Sequence, residues 1–187
     1  MKFEIKLLLF TSILFNFSLG LLGPIYAIFI EKIGGGILEA SAASTTFSLV
    51  TGILILVFGR LEDQRLNKKL MIVVGYFIHA FGILGYLFVT EVMHIYFIQA
   101  FLGIGAAILT PAFDALYSTK ADKGKESSEW SYWEGGVRIV VSVAALAGGI
   151  IATFYGFKTL FIFMSIFAFL SAFGSAFLLK KKDFRKK

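Results

Sequence analysis

The chain has no cysteine and only two prolines, Pro24 and Pro111, in 187 residues. Without cysteine there are no disulfides, no thiolate metal sites and no cysteine nucleophile. Histidine is nearly as scarce, and His79 and His94 lie on different segments and form no ligand pair. Charged residues make up 16% of the chain, against about one quarter in an ordinary soluble domain. There is no His-Glu-x-x-His, no Gly-x-Ser-x-Gly and no clustered Asp pair, so an intramembrane enzyme is a poor reading. Apolar residues are abundant instead: 58% hydrophobic, 22 Phe, and a mean hydropathy of +0.83. One soluble core of this length cannot hide that much apolar surface, but lipid can.

The apolar residues fall into six runs, at about 7–30, 37–58, 70–89, 93–117, 134–155 and 159–179. Each is near the roughly 20 residues that span a hydrocarbon core as a helix. A cleaved signal peptide has a shorter apolar region ending in small residues, whereas the first run is longer and carries Asn16, Gly20, Gly23 and Pro24. Barrel strands would be about ten residues of alternating polarity. The expected fold is therefore an all-α integral membrane domain of six transmembrane helices.

The strongest polar interruption is Gly59-Arg60-Leu61-Glu62-Asp63-Gln64-Arg65-Leu66-Asn67-Lys68-Lys69. Together with the two ends of the chain and the loop 118–129, it holds fifteen of the eighteen Lys and Arg residues. The opposite loops hold only Lys32 and Lys158, and Arg138 lies within a run. By the positive-inside rule both termini and both long polar loops are cytoplasmic; the expected location is a cell membrane, that of a prokaryote. The formal charge of +6 is thus sorted as a membrane protein sorts it, which removes nucleic acid as a partner. Trp130 and Trp133 then fall at the cytoplasmic interface.

At helical spacing most runs carry a stripe of small or polar residues. Ser12, Asn16, Gly20, Gly23 and Ala27 mark the first, and Ser41, Thr45, Ser48, Gly52 and Gly59 the second. Gln99, Gly103, Ala106, Thr110 and Asp114 mark the fourth, and Glu134, Arg138, Ser142, Ala145 and Gly149 the fifth. The third and sixth are less polar: Gly75, His79, Gly82 and Tyr86, then Ser165, Ala168, Ala172 and Ser175. Small residues let helix backbones approach; Asn16 and Gln99 must face other helices or a cavity. Pro24 and Pro111 each fall about 17 residues into the first helix of a three-helix set, which points to helix interruptions in a 3+3 inverted repeat of the transporter kind.

These residues resemble the major facilitator superfamily. That family's loop between helices two and three reads Gly-x-Leu-Ala-Asp-Arg-x-Gly-Arg-Lys-x-x-Leu. Gly59, Leu61, Asp63 and Lys68 fall in register, while Gln64, Leu66 and Asn67 replace an arginine, a glycine and an arginine. The run Gln99 to Ala112 is similar to the family's Arg-x-x-x-Gly-x-Gly-Ala, and Gly156-Phe-Lys-Thr-Leu-Phe161 is similar to the start of its sixth helix. Ala144 to Gly149 keeps the glycine pair of the antiporter motif without its proline. The resemblance implies a secondary transporter of small molecules, with efflux as one direction open to it, and a latch built on Asp63 with Arg65 and Lys68. It also implies a twelve-helix whole. The chain matches the N-terminal half, as a fragment of a longer protein, as a unit that pairs with a second copy, or as a stand-alone relic.

Asp114 lies about 8 Å inside the expected end of its helix, at helical rise. Arg138 is at similar depth, and Glu134 stands one turn before it. Charges at that depth need partners. Two readings stay open: a structural cluster of Asp114, Glu134 and Arg138, or a proton carrier at Asp114 or Glu134. His79, near the middle of its helix, reads as a packed neutral histidine. Asn16, Thr45, Ser48, Gln99 and Ser142 are the expected polar contacts of a cavity that is otherwise Phe- and Leu-rich, which leans toward amphiphilic cargo. No cofactor is expected beyond coupling protons. The competing reading is a non-transporting membrane assembly protein.

Overall fold

A computed structural model describes residues 3–64 and 67–180, with residues 60–64 described by backbone alone. The described residues are helical almost throughout and contain no strand. The order is α1 (Phe3–Gly20), a 3-10 turn (Gly23–Ile25), α2 (Tyr26–Lys32), α3 (Ile37–Gln64), α4 (Lys68–Gly85), a 3-10 turn (Tyr86–Phe88), α5 (Val92–Lys120) and α6 (Glu126–Lys180). Among the described residues five helical stretches are long and apolar enough to cross a membrane, counting α1 and α2 as one.

The fifth stretch, α6, has 55 residues and breaks at Gly156, whose φ is +80°. That left-handed conformation suits glycine, which has no Cβ to clash. The contacts show that the chain doubles back there. Before the break Trp133 bonds Ser12 and Ala144 meets Gly20. After it Ser18 bonds Met164 and Ser171 bonds Thr11. Residues on either side of Gly156 thus reach the same levels of α1 in opposite order.

Helix ends do not coincide with the ends of the apolar runs. α3 continues to Gln64, so Gly59, Leu61 and Asp63 lie on its last turns rather than in a loop. α6 begins at Glu126, eight residues before the apolar run, with the Glu126 carboxylate accepting from Gly124 N at 2.9 Å. Polar helical turns continue past an apolar layer because the backbone is satisfied internally either way. Asn67, a departure from the family loop, caps α4 by accepting from Lys69 N at 3.0 Å. The first run is interrupted where Pro24 stands, in the 3-10 turn. Pro111 differs: it sits inside α5, which continues through it.

The main pairings are α1 with α6, α3 with α5, and α4 with both α5 and α6. The less polar stripes are the packing seams. A Cβ on Gly75 would crowd Leu109, and one on Gly82 would crowd Leu102, so α4 and α5 meet closely. Ser165, Ala168, Ala172 and Ser175 of α6 are likewise buried. The more polar stripes of α3 and of α6 before Gly156 behave oppositely. Ser41, Thr45, Ser48, Glu134, Arg138 and Ser142 are all exposed.

Candidate functional site

The break after α1 brings Tyr26 toward the middle of the bundle. There Gln99 Nε2 of α5 donates to Tyr26 Oη at 2.8 Å and to Tyr86 Oη at 3.3 Å. The three side chains form part of the wall of a cavity of about 310 Å³. Leu19, Phe47, Ile83, Leu102 and Met164 make it largely apolar. Ser44 and Ser48 stand on its α3 side and His79 on its α4 side. Its volume is at the small end of ligand pockets, about 300–1,000 Å³.

A second, smaller cavity of about 170 Å³ lies further along α1, toward the chain's N-terminus. Asn16, Thr110, Asp114 and Trp133 line it. Asn16 Nδ2 donates to Ser12 O at 2.8 Å, and Trp133 Nε1 donates to Ser12 Oγ at 2.8 Å. Trp133 packs tilted against Phe113 and Trp130 tilted against Tyr117 of α5, so both indoles are part of the packing between α5 and α6.

The five expected cavity residues therefore separate. Ser48 and Gln99 meet at the larger cavity, and Asn16 lies at the smaller one. Thr45 and Ser142 stand on exposed faces, each hydroxyl donating at 2.9 Å to a carbonyl one turn earlier. Of the three expected cluster charges, Glu134 and Arg138 pair at 3.6 Å on the exposed face of α6. Asp114 sits at the smaller cavity with Asn16. The side chains of Leu61 and Asp63, and all of Arg65, lie outside the described residues. Lys68 begins α4.

The strongest described ionic link at that end of the bundle is one that sequence reading missed. Glu4 of α1 holds Lys69 Nζ at 2.7 Å and Lys120 Nζ at 3.0 Å, tying α1, α4 and α5 together. A faint signal existed, since Glu4 is the lone acid among the first thirty residues, placed beside a surplus of lysine. Tyr26 and Tyr86 were missed because two tyrosines 60 positions apart show no shared spacing; the helix break and a 3-10 turn bring them together.

The matches to known proteins agree with this geometry. The family model described as Major Facilitator Superfamily matches residues 8–187. An uncharacterized MFS-type transporter, MJ1560 of Methanocaldococcus jannaschii, is 28% identical over 98% of this chain and 47% of its own length. The multi-drug resistance efflux pump PmrA of Streptococcus pneumoniae is 26% identical over 91% of this chain and 43% of its own. The chain thus spans about half the length of these two relatives. A crystal structure of a peptide transporter POT in complex with sulfate superposes with a TM-score of 0.82 over 97% of this chain and 39% of that one, at 18% identity, a likeness of fold alone. Long apolar helices, close glycine seams and a family match over nearly the whole length make the chain a member of the Major Facilitator Superfamily.

Proposed function

We propose that the chain is one six-span half of a secondary transporter for small amphiphilic molecules, working in efflux and paired with a second six-helix unit. That unit is either the remainder of a longer chain or a second copy of this one. The Gly156 reversal divides the fifth apolar stretch into two crossings, with both termini and the loops around residues 65 and 122 on the cytoplasmic side. The two halves of the domain are related as an inverted repeat, and transport proceeds by rocking of one unit against the other. Asp63, with Arg65 and Lys68, forms the latch at the cytoplasmic ends. Protons drive the cycle through Asp114 or Glu134.

The observation that carries this reading is the exposure of the polar faces. Arg138 and Glu134 side chains are 82% and 53% exposed. Ser41, Thr45 and Ser48 are exposed along α3. Charged and hydroxyl groups on a spanning helix are costly against lipid and settle against protein or water. These faces of α3 and α6 therefore border the cavity shared with the second unit. The multi-drug resistance efflux pump among the relatives supports the direction, and the apolar lining of the cavity supports the amphiphilic class.

Thiol labelling tests the reading, since the chain has no native cysteine. Thr45→Cys and Ser142→Cys react with a water-soluble maleimide if the faces line an aqueous path. Failure of both to react in native membranes, with the protein folded, places those faces against lipid and overturns the proposal.

A further inference from the structure

His79 is 3% exposed and Gln99 9%, and both line the 310 Å³ cavity. Gln99 has partners: its amide nitrogen donates to Tyr26 and Tyr86. His79 is different. Its Nδ1 lies 3.0 Å from the Gly75 carbonyl, one turn back on its own helix, and so carries the hydrogen. The neutral ring then presents Nε2 as an acceptor. Among the described residues no donor reaches that nitrogen. The ring cannot turn away, because Phe15 stands edge-on at 4.9 Å and Gly105 abuts its Nδ1 side. Buried polar atoms are nearly always paired, so an acceptor that no protein group satisfies calls for a partner such as a water or a ligand hydroxyl.

The rest of the wall says what that something is. Apart from His79, none of the thirteen lining residues is ionisable near neutrality. An ion would enter without a counter-charge, at heavy desolvation cost. The two tyrosine hydroxyls also bond each other, Tyr86 donating, so of the pair that accepts from Gln99 only Tyr26 keeps its hydrogen for a ligand. A single hydroxyl group can donate to His79 Nε2 and accept from a tyrosine, while leucine, phenylalanine and methionine side chains take an apolar body.

We propose that this cavity, inside one six-helix unit, binds a neutral alcohol or phenol with a ring-sized apolar body, the hydroxyl donating to His79 Nε2. As a statement of substrate class it rests on the transport reading above; as a binding site it is testable by itself. The site opens at Ser44 and Ser48 on the exposed face of α3 and reaches α4 behind it, so it adjoins the cavity assigned to the two units together and lies within one unit.

Equilibrium dialysis of the detergent-purified protein, expressed from its natural reading frame, tests it with three radiolabelled probes: 1-naphthol, 1-methoxynaphthalene and 1-naphthalenesulfonate. The first two share a ring system and differ in the hydroxyl hydrogen. Saturable binding of 1-naphthol is expected, roughly three- to tenfold tighter than the methoxy compound, as one neutral hydrogen bond gives. The sulfonate stays unbound. His79→Phe removes the acceptor and keeps the ring, so the two neutral probes become equal. Ser48→Trp fills the cavity from an exposed position on α3 and abolishes saturable binding even if the core variant fails to fold. Equal binding of both neutral probes to the unaltered protein overturns the proposal, as does 1-naphthol binding unaffected by Ser48→Trp. Binding without transport leaves this site standing and overturns the transport reading. Transport without a hydroxyl preference does the reverse.

Discussion

The Glu4 carboxylate lies 2.7 Å from Lys69 Nζ, across the ends of α1 and α4, and its other oxygen holds Lys120 at 3.0 Å. All three side chains are mostly shielded, at 13%, 12% and 23% exposure. A charge-assisted bond in such a setting is stronger than a solvated surface pair. Glu4→Gln keeps the shape and one acceptor but removes the charge facing two lysines. It should cost about 1.5–3 kcal/mol, the range for hydrogen bonds to charged groups. Thermal unfolding in mild detergent checks this, with Lys69→Met and the double variant completing a cycle. Additive losses would mean that Glu4 and Lys69 do not interact.

Two adjacent glycines should behave differently. A Cβ on Gly148 would run into the Leu21 backbone oxygen, where α6 crosses α1, while one on Gly149 meets nothing. Gly148→Ala should therefore lower stability by about 1–3 kcal/mol, the usual cost of overpacking. Gly149→Ala should be neutral or slightly stabilising, because alanine favours helix by about 1 kcal/mol over glycine. Unfolding midpoints of the two variants, measured side by side, decide the point. Equal losses would contradict the close crossing.

Much of the fold could be read from composition and spacing alone. The apolar runs mark the long helices, and the gap between the last two runs marks where Gly156 breaks α6. Helix ends were not, because hydropathy marks where the surroundings change from lipid to water and the helix does not stop there. α6 begins at Glu126 and α3 runs to Gln64 for that reason. The stripes were legible as stripes, but not which ones pack. Gly75 and Gly82 turned out to be seams, whereas Ser41 and Thr45 face outward. Spacing fixes a face within one helix, and its partner depends on how helices cross. Ser48 and Gln99 were legible as polar residues in lipid-length helices, and they do meet at one cavity. His79 was read as packed, and it is buried as expected; its role in a cavity wall depends on Tyr26 and Gln99, which come from elsewhere in the chain.

The proposed topology makes a prediction for single cysteines in a chain that has none of its own. Lys158→Cys, beside the Gly156 reversal, should react with an impermeant maleimide added to intact cells. Ser118→Cys, near the end of α5, should react only after the cells are opened. Labelling of both from the same side would contradict the six-crossing arrangement.

Asp63 should matter to movement more than to folding. Asp63→Asn should leave the unfolding midpoint unchanged and should reduce transport severalfold. Unchanged flux would remove the latch role.

The most direct test is transport itself, in everted vesicles from cells expressing the natural reading frame that carries this chain. The probes are radiolabelled chloramphenicol, a neutral amphiphile with hydroxyl donors, and rhodamine 6G, an amphiphilic cation. The account predicts saturable, protein-dependent uptake of chloramphenicol that rises with an imposed proton gradient and falls in Ser48→Trp. Uptake of both probes no greater than in vesicles lacking the protein, with and without the gradient and with folded protein in the membrane, would contradict it.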